Sequence, residues 1–200
     1  GLDIIEYRPH ILKILNALVD IIDTPIPDLR IPECTFILCG YSWISKSFKM
    51  WSIRYHPELK RFHHDKAGSI CRRKQSIIFG GDAGPRLKKE THRILTERRG
   101  YHWGSEPLNF EPLEALSNLL SVEDPASSIG GPPQFVKIYQ HVNTLIVPVF
   151  WPRQQRKQIA YLGRPLLGYE RIDDWIFDVD TLTSHPFPTN NGEQDVDPNA

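Results

Sequence analysis

Apolar residues recur along the chain at two spacings, one typical of helices and the other typical of strands. Between residues 9 and 23, leucine, isoleucine and valine return every three or four positions, which is the period of one helix face. Pro9 fits the first turn of a helix, and Pro25 and Pro27 would end it. The pattern therefore predicts a first helix over residues 9–23.

The next stretch changes to the strand pattern, in which branched and aromatic residues alternate with polar ones. Residues 35–43 and 48–56 predict two such strands, joined by a short polar turn. Residues 59–64 predict a short third strand, and residues 76–79 predict a buried one that ends at a pair of glycines. Because the turns between neighbouring strands are short, those strands are expected to pair antiparallel.

Two helices are predicted in the second half of the chain. The first, over residues 85–99, has Pro85 in its opening turn and Gly100 just past its end. The second, over residues 110–121, carries leucines at helical spacing. Further strands are predicted at residues 135–139, 145–151 and 159–162.

This order of elements indicates a mixed α/β (α+β) fold. Strands joined by short turns argue against parallel βαβ units, and the grouping of helices between them favours helices packed outside stacked sheets. Residues 1–182 are assigned to a single domain. Residues 183–200 are rich in Pro, Asn, Gly and acidic residues, and they predict a flexible tail.

The charge of the chain is balanced overall but uneven along its length. It carries 24 Lys plus Arg and 24 Asp plus Glu, so no net charge draws it to nucleic acid. Basic residues are concentrated at 60–74 and 86–99, and acidic ones follow Arg171. Two interpretations stay open: solvated faces, or an acidic end that contacts a basic face. Nucleic-acid binding through the basic stretches is an alternative function that the balanced charge disfavours.

Targeting signals and cysteine content bear on where the protein works. No segment has the pattern of a secretory signal or reaches the roughly 18 apolar residues of a membrane helix. Three cysteines without paired spacing are typical of a reducing compartment, so we predict a soluble, cytoplasmic protein. Cys39 lies in an apolar run and is expected in the core. The chain begins with Gly1 rather than methionine, so we expect that residues precede Gly1 in the natural protein.

Few residues show the spacing of a known catalytic or metal site. His63 and His64 are adjacent, so on a strand they would point to opposite faces, and no two histidines have the H-x-x-x-H spacing of a zinc helix. No P-loop or G-x-S-x-G motif occurs. We therefore predict neither a metal nor a cofactor. Asp82 follows a glycine pair and is interpreted as the N-cap of the next helix or as a carboxylate at an active-site rim.

The element order and the placement of glycines resemble the later two-thirds of a proteasome-subunit-like Ntn hydrolase. Three matches within residues 9–150 carry the resemblance: the strand pair 35–43 and 48–56, Ile77 to Asp82 running into a helix, and helix 110–121 followed by Gly130-Gly131 and a strand. The resemblance implies a four-layer αββα sandwich of antiparallel sheets, N-terminally incomplete in this chain. It also implies hydrolysis of amide or peptide bonds once the protein is complete.

The catalytic residues are those that the resemblance implies. The nucleophile of this family is a Thr, Ser or Cys at the mature N-terminus, and its own α-amino group is the base. Gly1 has no side chain and cannot serve, so the nucleophile would lie upstream and this segment alone is expected to be inactive. Supporting roles at the rim of the site are assigned to Asp82, Asp124 and Ser128.

Two places in the chain depart from the family pattern. The family has a serine after the first glycine of the strand-to-helix turn, where this chain has Gly81. The family also has an aspartate three residues before a serine that precedes the second glycine pair, and Ala126 and Ile129 stand there. Asp124 and Ser128 would match only with a shift in the loop.

These departures favour an alternative function, a non-catalytic proteasome-like module with a structural or assembly role. Members of the family usually assemble. The expected partners are therefore further copies of this chain or the N-terminal remainder of the same protein, with no membrane partner.

Overall fold

The computed structural model describes residues 1–21, 34–66, 77–100, 108–122, 127–140, 144–151, 158–172 and 175–187. These residues form helices and several sheets, which confirms the prediction of a mixed α/β fold. Among the described helices, none has the length and apolar character needed to span a bilayer.

The first half of the described chain contains helix α1 (Ile4–Ile21), strands β1 (Thr35–Ser42), β2 (Ser47–His56) and β3 (Arg61–Lys66), and helix α2 (Gly84–Arg99). The second half contains helix α3 (Glu111–Leu120) and strands β4 (Phe135–Ile138), β5 (Thr144–Val147), β6 (Val149–Trp151), β7 (Gln158–Tyr161), β8 (Arg164–Pro165), β9 (Ile176–Asp178) and β10 (Thr183–His185). The strands form three sheets, in the orders β1-β2-β3, β10-β9-β6-β7-β8 and β4-β5.

Helix α1 begins at Ile4, so the predicted start at residue 9 is wrong. Asp3 and Glu6 cap this end reciprocally. The Asp3 carboxylate accepts a hydrogen bond from the Ile5 N–H at 2.9 Å, and Glu6 accepts one from the Asp3 N–H at 2.9 Å. Pro9 therefore lies inside the helix, where its ring removes one backbone donor. An aspartate followed three residues later by a glutamate is the sequence signal for the earlier start.

The same carboxylate ties α1 to the turn between β1 and β2. Asp3 is fully buried and accepts a hydrogen bond from the Ile44 N–H at 3.3 Å, across 41 positions of sequence. Burial acts to raise the pKa of Asp3, but hydrogen bonds from Ile5, Ile44, Ser42 and Trp43 lower the pKa below its usual value. The folded protein therefore favours the charged carboxylate.

Helix α1 covers one face of the β1-β2-β3 sheet. The helix comes so close to β1 that a Cβ at Gly40 would collide with the side chain of Ile4. The Arg8 guanidinium lies 5.1 Å from the centre of the Trp51 ring, in cation–π contact. The buried apolar side chains on this face are Trp51, Ile53 and Phe62.

A side chain of α1 also bonds directly to the backbone of β3. Asn16 accepts a hydrogen bond from the Phe62 N–H at 2.7 Å and donates one to the Phe62 carbonyl at 3.2 Å. The helix thereby satisfies both backbone groups of one strand residue, and this pair of hydrogen bonds fixes the position of α1 relative to β3.

The opposite face of this sheet is only partly covered. Cys39 lies on it and is exposed, so the prediction of a core cysteine is wrong. Strand alternation places Cys39 on one face of the sheet, but which face is buried depends on where α1 packs, and α1 packs on the other face.

Residues 77–80 cover one end of the face that carries Cys39, because a Cβ at Gly80 would touch Thr35 and Ile37. Residues 77–80 form no strand, contrary to the strand predicted at 76–79; residue 76 lies outside the described residues.

Helices α2 and α3 pack against each other through an apolar centre and a charged border. The two helices contact each other, and their buried apolar residues include Ile94, Leu95 and Ala115. Arg98 pairs with Glu114 at 2.8 Å, and Arg99 pairs with the almost fully buried Glu111. Glu111 also accepts a hydrogen bond from the Asn109 N–H at 2.7 Å, which satisfies a donor at the start of α3.

The stretch predicted as one strand at 145–151 forms two strands. Pro148 separates them, because a proline offers no N–H to a ladder. Strand β5 pairs with β4, whereas β6 pairs with β7 and β9 in another sheet. The Pro148 carbonyl still accepts a hydrogen bond from the Phe177 N–H at 2.8 Å. The core of this half consists of Val147, Val149, Ala160, Phe177 and Val179, with Phe110, Leu113 and Phe135 packed against it.

One strand pair departs from the antiparallel prediction. Strands β6 and β9 are parallel, whereas each other described pair is antiparallel. The chain leaves β6, passes through the β7–β8 hairpin and returns to the far edge of β6, a connection long enough for a parallel pair.

Strand β10 then pairs with β9 and contains the first residues of the predicted tail; residues 188–200 lie outside the described residues.

Replacing Asp3 by asparagine is expected to lower stability at neutral pH. The pKa of Asp3 is depressed in the folded state, so its charge contributes stability above the unfolded value of 3.8, and that contribution is lost as the pH falls through the folded pKa. Urea unfolding, followed by circular dichroism from pH 7 to pH 2, should show two curves that converge in acid. Asp20→Asn, at the exposed other end of α1, is the control. A stability difference that does not change with pH would contradict this account.

Replacing Glu111 by alanine is expected to lower the free energy of unfolding by about 3–5 kcal/mol, because Arg99 would keep a largely buried charge without its partner. Glu97→Ala is the matched control, since its pair with Arg93 is exposed and worth about 0.5 kcal/mol. Chemical denaturation measures both values. Equal losses for the two variants would show that the buried pair has no special role.

Candidate functional site

The first predicted site residue, Asp82, lies in the tight turn that leads into α2. Gly81 has a φ of +76°, and its carbonyl accepts a hydrogen bond from the Gly84 N–H at 3.0 Å. The N-cap of α2 is Ala83, so the interpretation of Asp82 as the cap is wrong. The Asp82 side chain is exposed and makes no hydrogen bond within the described part of the chain. Its carboxylate is therefore available at the surface of the turn.

The second predicted group lies before β4. Asp124 is outside the described residues. Ser128 is exposed, and the neighbouring Ile129 N–H donates a hydrogen bond to the Ser127 hydroxyl at 3.3 Å. Gly131 then takes a φ of +79° where the chain turns towards β4. Within the described ranges, no hydrogen bond or ion pair joins Ser128 to Asp82.

A third group of polar side chains was missed by the sequence analysis. His56, His63 and Asp65 come together on one face of the β2–β3 hairpin, and one possible ligand atom from each lies within 4.8 Å of the others. We call these three residues the hairpin cluster. The H-x-x-x-H test is a test for helices, and it cannot find ligands that approach each other across a hairpin.

The electrostatics of the hairpin cluster are set by one ion pair and one buried nitrogen. An Arg54 guanidinium N–H donates to Oδ2 of Asp65 at 2.8 Å; the Arg54 side chain is exposed and the Asp65 side chain is half-buried. Nε2 of His56 is shielded from solvent and has no hydrogen-bond partner among the described residues. The rings of His56 and His63 meet edge to face, with centroids 5.7 Å apart.

His64 is next to the hairpin cluster in sequence but is paired differently. It lies opposite Ile53, on the face that α1 covers, whereas His63 lies opposite Arg54. The rings of His63 and His64 nevertheless stack at 5.0 Å, nearly parallel. Strand β3 is an edge strand, which leaves room for two rings to approach each other around the edge.

The basic stretch 86–99 offers less free positive charge than its sequence indicates. Arg93 bonds to Glu90 at 2.6 Å and to Glu97 at 2.7 Å, and these hydrogen bonds raise the pKa of Arg93 further. Arg98 and Arg99 pair with glutamates of α3. Half of the basic residues of this stretch are thus neutralised by acidic neighbours, which weakens the case for binding phosphate there.

No protein family, curated protein or solved structure matches this chain. The resemblance drawn from element order and glycines therefore has no independent support from relatives.

Replacing Gly81 by alanine is expected to lower stability by about 1–2 kcal/mol, because a Cβ strains a residue held at positive φ. Among the described residues, no atom lies within 4 Å of the added Cβ, so the cost would come from the backbone alone. Asp82→Ala is expected to change stability by less than about 0.5 kcal/mol, since its exposed side chain is not a cap. Thermal unfolding compares the two. A larger loss of stability for Asp82→Ala than for Gly81→Ala would show that Asp82 does cap α2.

Proposed function

We propose that this chain is the later part of a proteasome-like Ntn hydrolase, which cleaves amide or peptide bonds once an upstream nucleophile completes it. The observation that carries the proposal is the geometry of its two glycine turns. Gly131 has a φ of +79°, a conformation that favours glycine, and it stands in the second glycine pair, where the family resemblance requires glycine. The Gly80-Gly81 turn leads directly into α2, as the resemblance also requires.

The order of the elements around these turns supports the same proposal. Three antiparallel strands precede the first turn, α2 and α3 pack together between the turns, and the antiparallel pair β4–β5 follows the second. In the proposed four-layer sandwich, α2 and α3 form one outer helical layer. The packing of Phe110 and Leu113 on the second-half core is consistent with a helical layer over a sheet.

The proposed catalytic arrangement divides the work between this chain and an upstream residue. A Thr, Ser or Cys at the mature N-terminus attacks the carbonyl carbon, and its α-amino group takes the proton. Asp82 and Ser128 are exposed beside the two glycine turns, where they are available as supporting polar groups at the rim. Assembly into a homo-oligomer is part of the same proposal.

A non-catalytic module is the second candidate, and Gly81 is the observation that favours it. The family has a serine at this position, and a serine held at a φ of +76° would be strained. The turn would then be kept for its shape rather than for a hydroxyl group. Such a module would assemble with related subunits without cleaving any bond.

The test uses the natural full-length protein. We expect mass spectrometry of its mature N-terminus to find a processed Thr, Ser or Cys, and we expect hydrolysis of fluorogenic peptide amides. Replacing that first residue by alanine should lower kcat by roughly 10³-fold or more, with folding unchanged. His10→Ala, on the exposed side of α1, is the control.

Two results would decide against the enzyme. A mature N-terminus without a nucleophile would remove hydrolysis by this mechanism. A processed, folded and assembled protein that cleaves no amide substrate would favour the non-catalytic module instead.

A further inference from the structure

The β2–β3 hairpin builds a polar group that the proposed hydrolase chemistry does not use. In the ladder, Arg54 lies opposite His63 and Ser52 lies opposite Asp65. Because side chains alternate along a strand, the residues at even positions of β2 and odd positions of β3 share one face. His56, His63 and Asp65 therefore project from the same side of the sheet, away from the face that α1 covers.

The spacing within the hairpin cluster is close to that of a metal site. The ligand atoms of His56, His63 and Asp65 already lie within 4.8 Å of one another. Ligands around a tetrahedral zinc ion are about 3.3 Å apart, given metal–ligand distances of about 2.0 Å. Rotation about side-chain bonds can close the difference, because His63 is exposed and Asp65 is only half-buried.

The chemistry of the three groups matches one class of ligand. Two imidazoles and one carboxylate are the donors that zinc and related divalent transition metals prefer, and three protein ligands leave a further position open to water. Nε2 of His56 is shielded from solvent and lacks a hydrogen-bond partner within the described ranges. A buried nitrogen without a partner is costly, and a metal ion would satisfy it.

Arg54 has two opposing effects on such a site. Its bond to Oδ2 of Asp65 holds the carboxylate on this face, as groups behind metal ligands commonly do, and leaves Oδ1 for an ion. Its positive charge, together with that of the exposed Arg61 opposite His56, repels a cation. The site should therefore bind more weakly than a closed site with four protein ligands.

We propose that His56, His63 and Asp65 form a binding site for a divalent transition-metal ion, with zinc as the ion that fits best. The site is independent of the proposed hydrolase, whose nucleophile needs no metal. Binding would link the end of β2 to β3 across the turn at residues 57–60.

The test is titration of the tag-free chain with zinc by isothermal calorimetry, together with thermal unfolding. We expect one bound zinc per chain and a melting temperature that rises with zinc concentration, because a ligand that binds only the folded state stabilises it. Titration with Co²⁺ should produce the visible absorption of a cobalt ion with nitrogen and oxygen ligands, without the intense charge-transfer band that thiolate ligands give.

His63→Ala is the central variant, since His63 is exposed and its loss should leave the fold intact. We expect it to weaken zinc binding by about 10-fold or more. His56→Ala and Asp65→Asn should do the same, with circular dichroism as a check on folding. His10→Ala is the matched control, because it removes an exposed histidine from α1 and should leave binding unchanged.

Three results would overturn the proposal. The first is the absence of zinc binding at micromolar concentrations by the wild-type chain. The second is a folded His63→Ala variant that binds zinc as tightly as the wild type. The third is loss of binding in Cys34→Ser or Cys39→Ser rather than in the histidine variants, which would place the metal at the exposed thiols.

Discussion

The register of β2 against β3 decides which side chains the first half of the protein buries and which it presents. Tyr55 lies opposite Phe62 under helix α1, and Arg54 lies opposite His63 on the other face. A slip of one residue would exchange the two faces, because side chains alternate with a period of two. Such a slip would expose apolar side chains worth about 1.5–3 kcal/mol each. Asn16 reinforces the register, since it bonds to both backbone groups of Phe62.

Local patterns predicted most of the elements, and long-range packing accounts for most of the differences. Alternation and helical spacing placed β1, β2, α2 and α3 close to their observed bounds. The start of α1 was missed because Pro9 is a strong start signal, while the reciprocal cap of Asp3 and Glu6 lies further upstream. The exposure of Cys39 depends on which face of the sheet α1 packs against, and the parallel pairing of β6 with β9 depends on which strand pairs with the free edge of β6. No local pattern contains that information.

The candidate sites also differ in whether a local sequence pattern could predict them. The glycine turn before α2 could be recognised from sequence because Gly81 is a local requirement of the backbone. The hairpin cluster could not be recognised by helical spacing, since His56 and His63 meet diagonally across a ladder. The available sequence signal was one histidine on each side of a predicted hairpin turn, with an aspartate two positions after the second histidine. Reading it requires the strand register as well as the residue types.

The measurement that tests the register most directly is the set of cross-strand nuclear Overhauser effects in the β2–β3 hairpin. Backbone contacts should link Arg54 to His63 and Ser52 to Asp65, with contacts from the Asn16 side-chain amide to Phe62. Contacts displaced by one residue, so that Arg54 faces Phe62 instead, would contradict this register. They would move the buried face and separate the hairpin cluster at the same time.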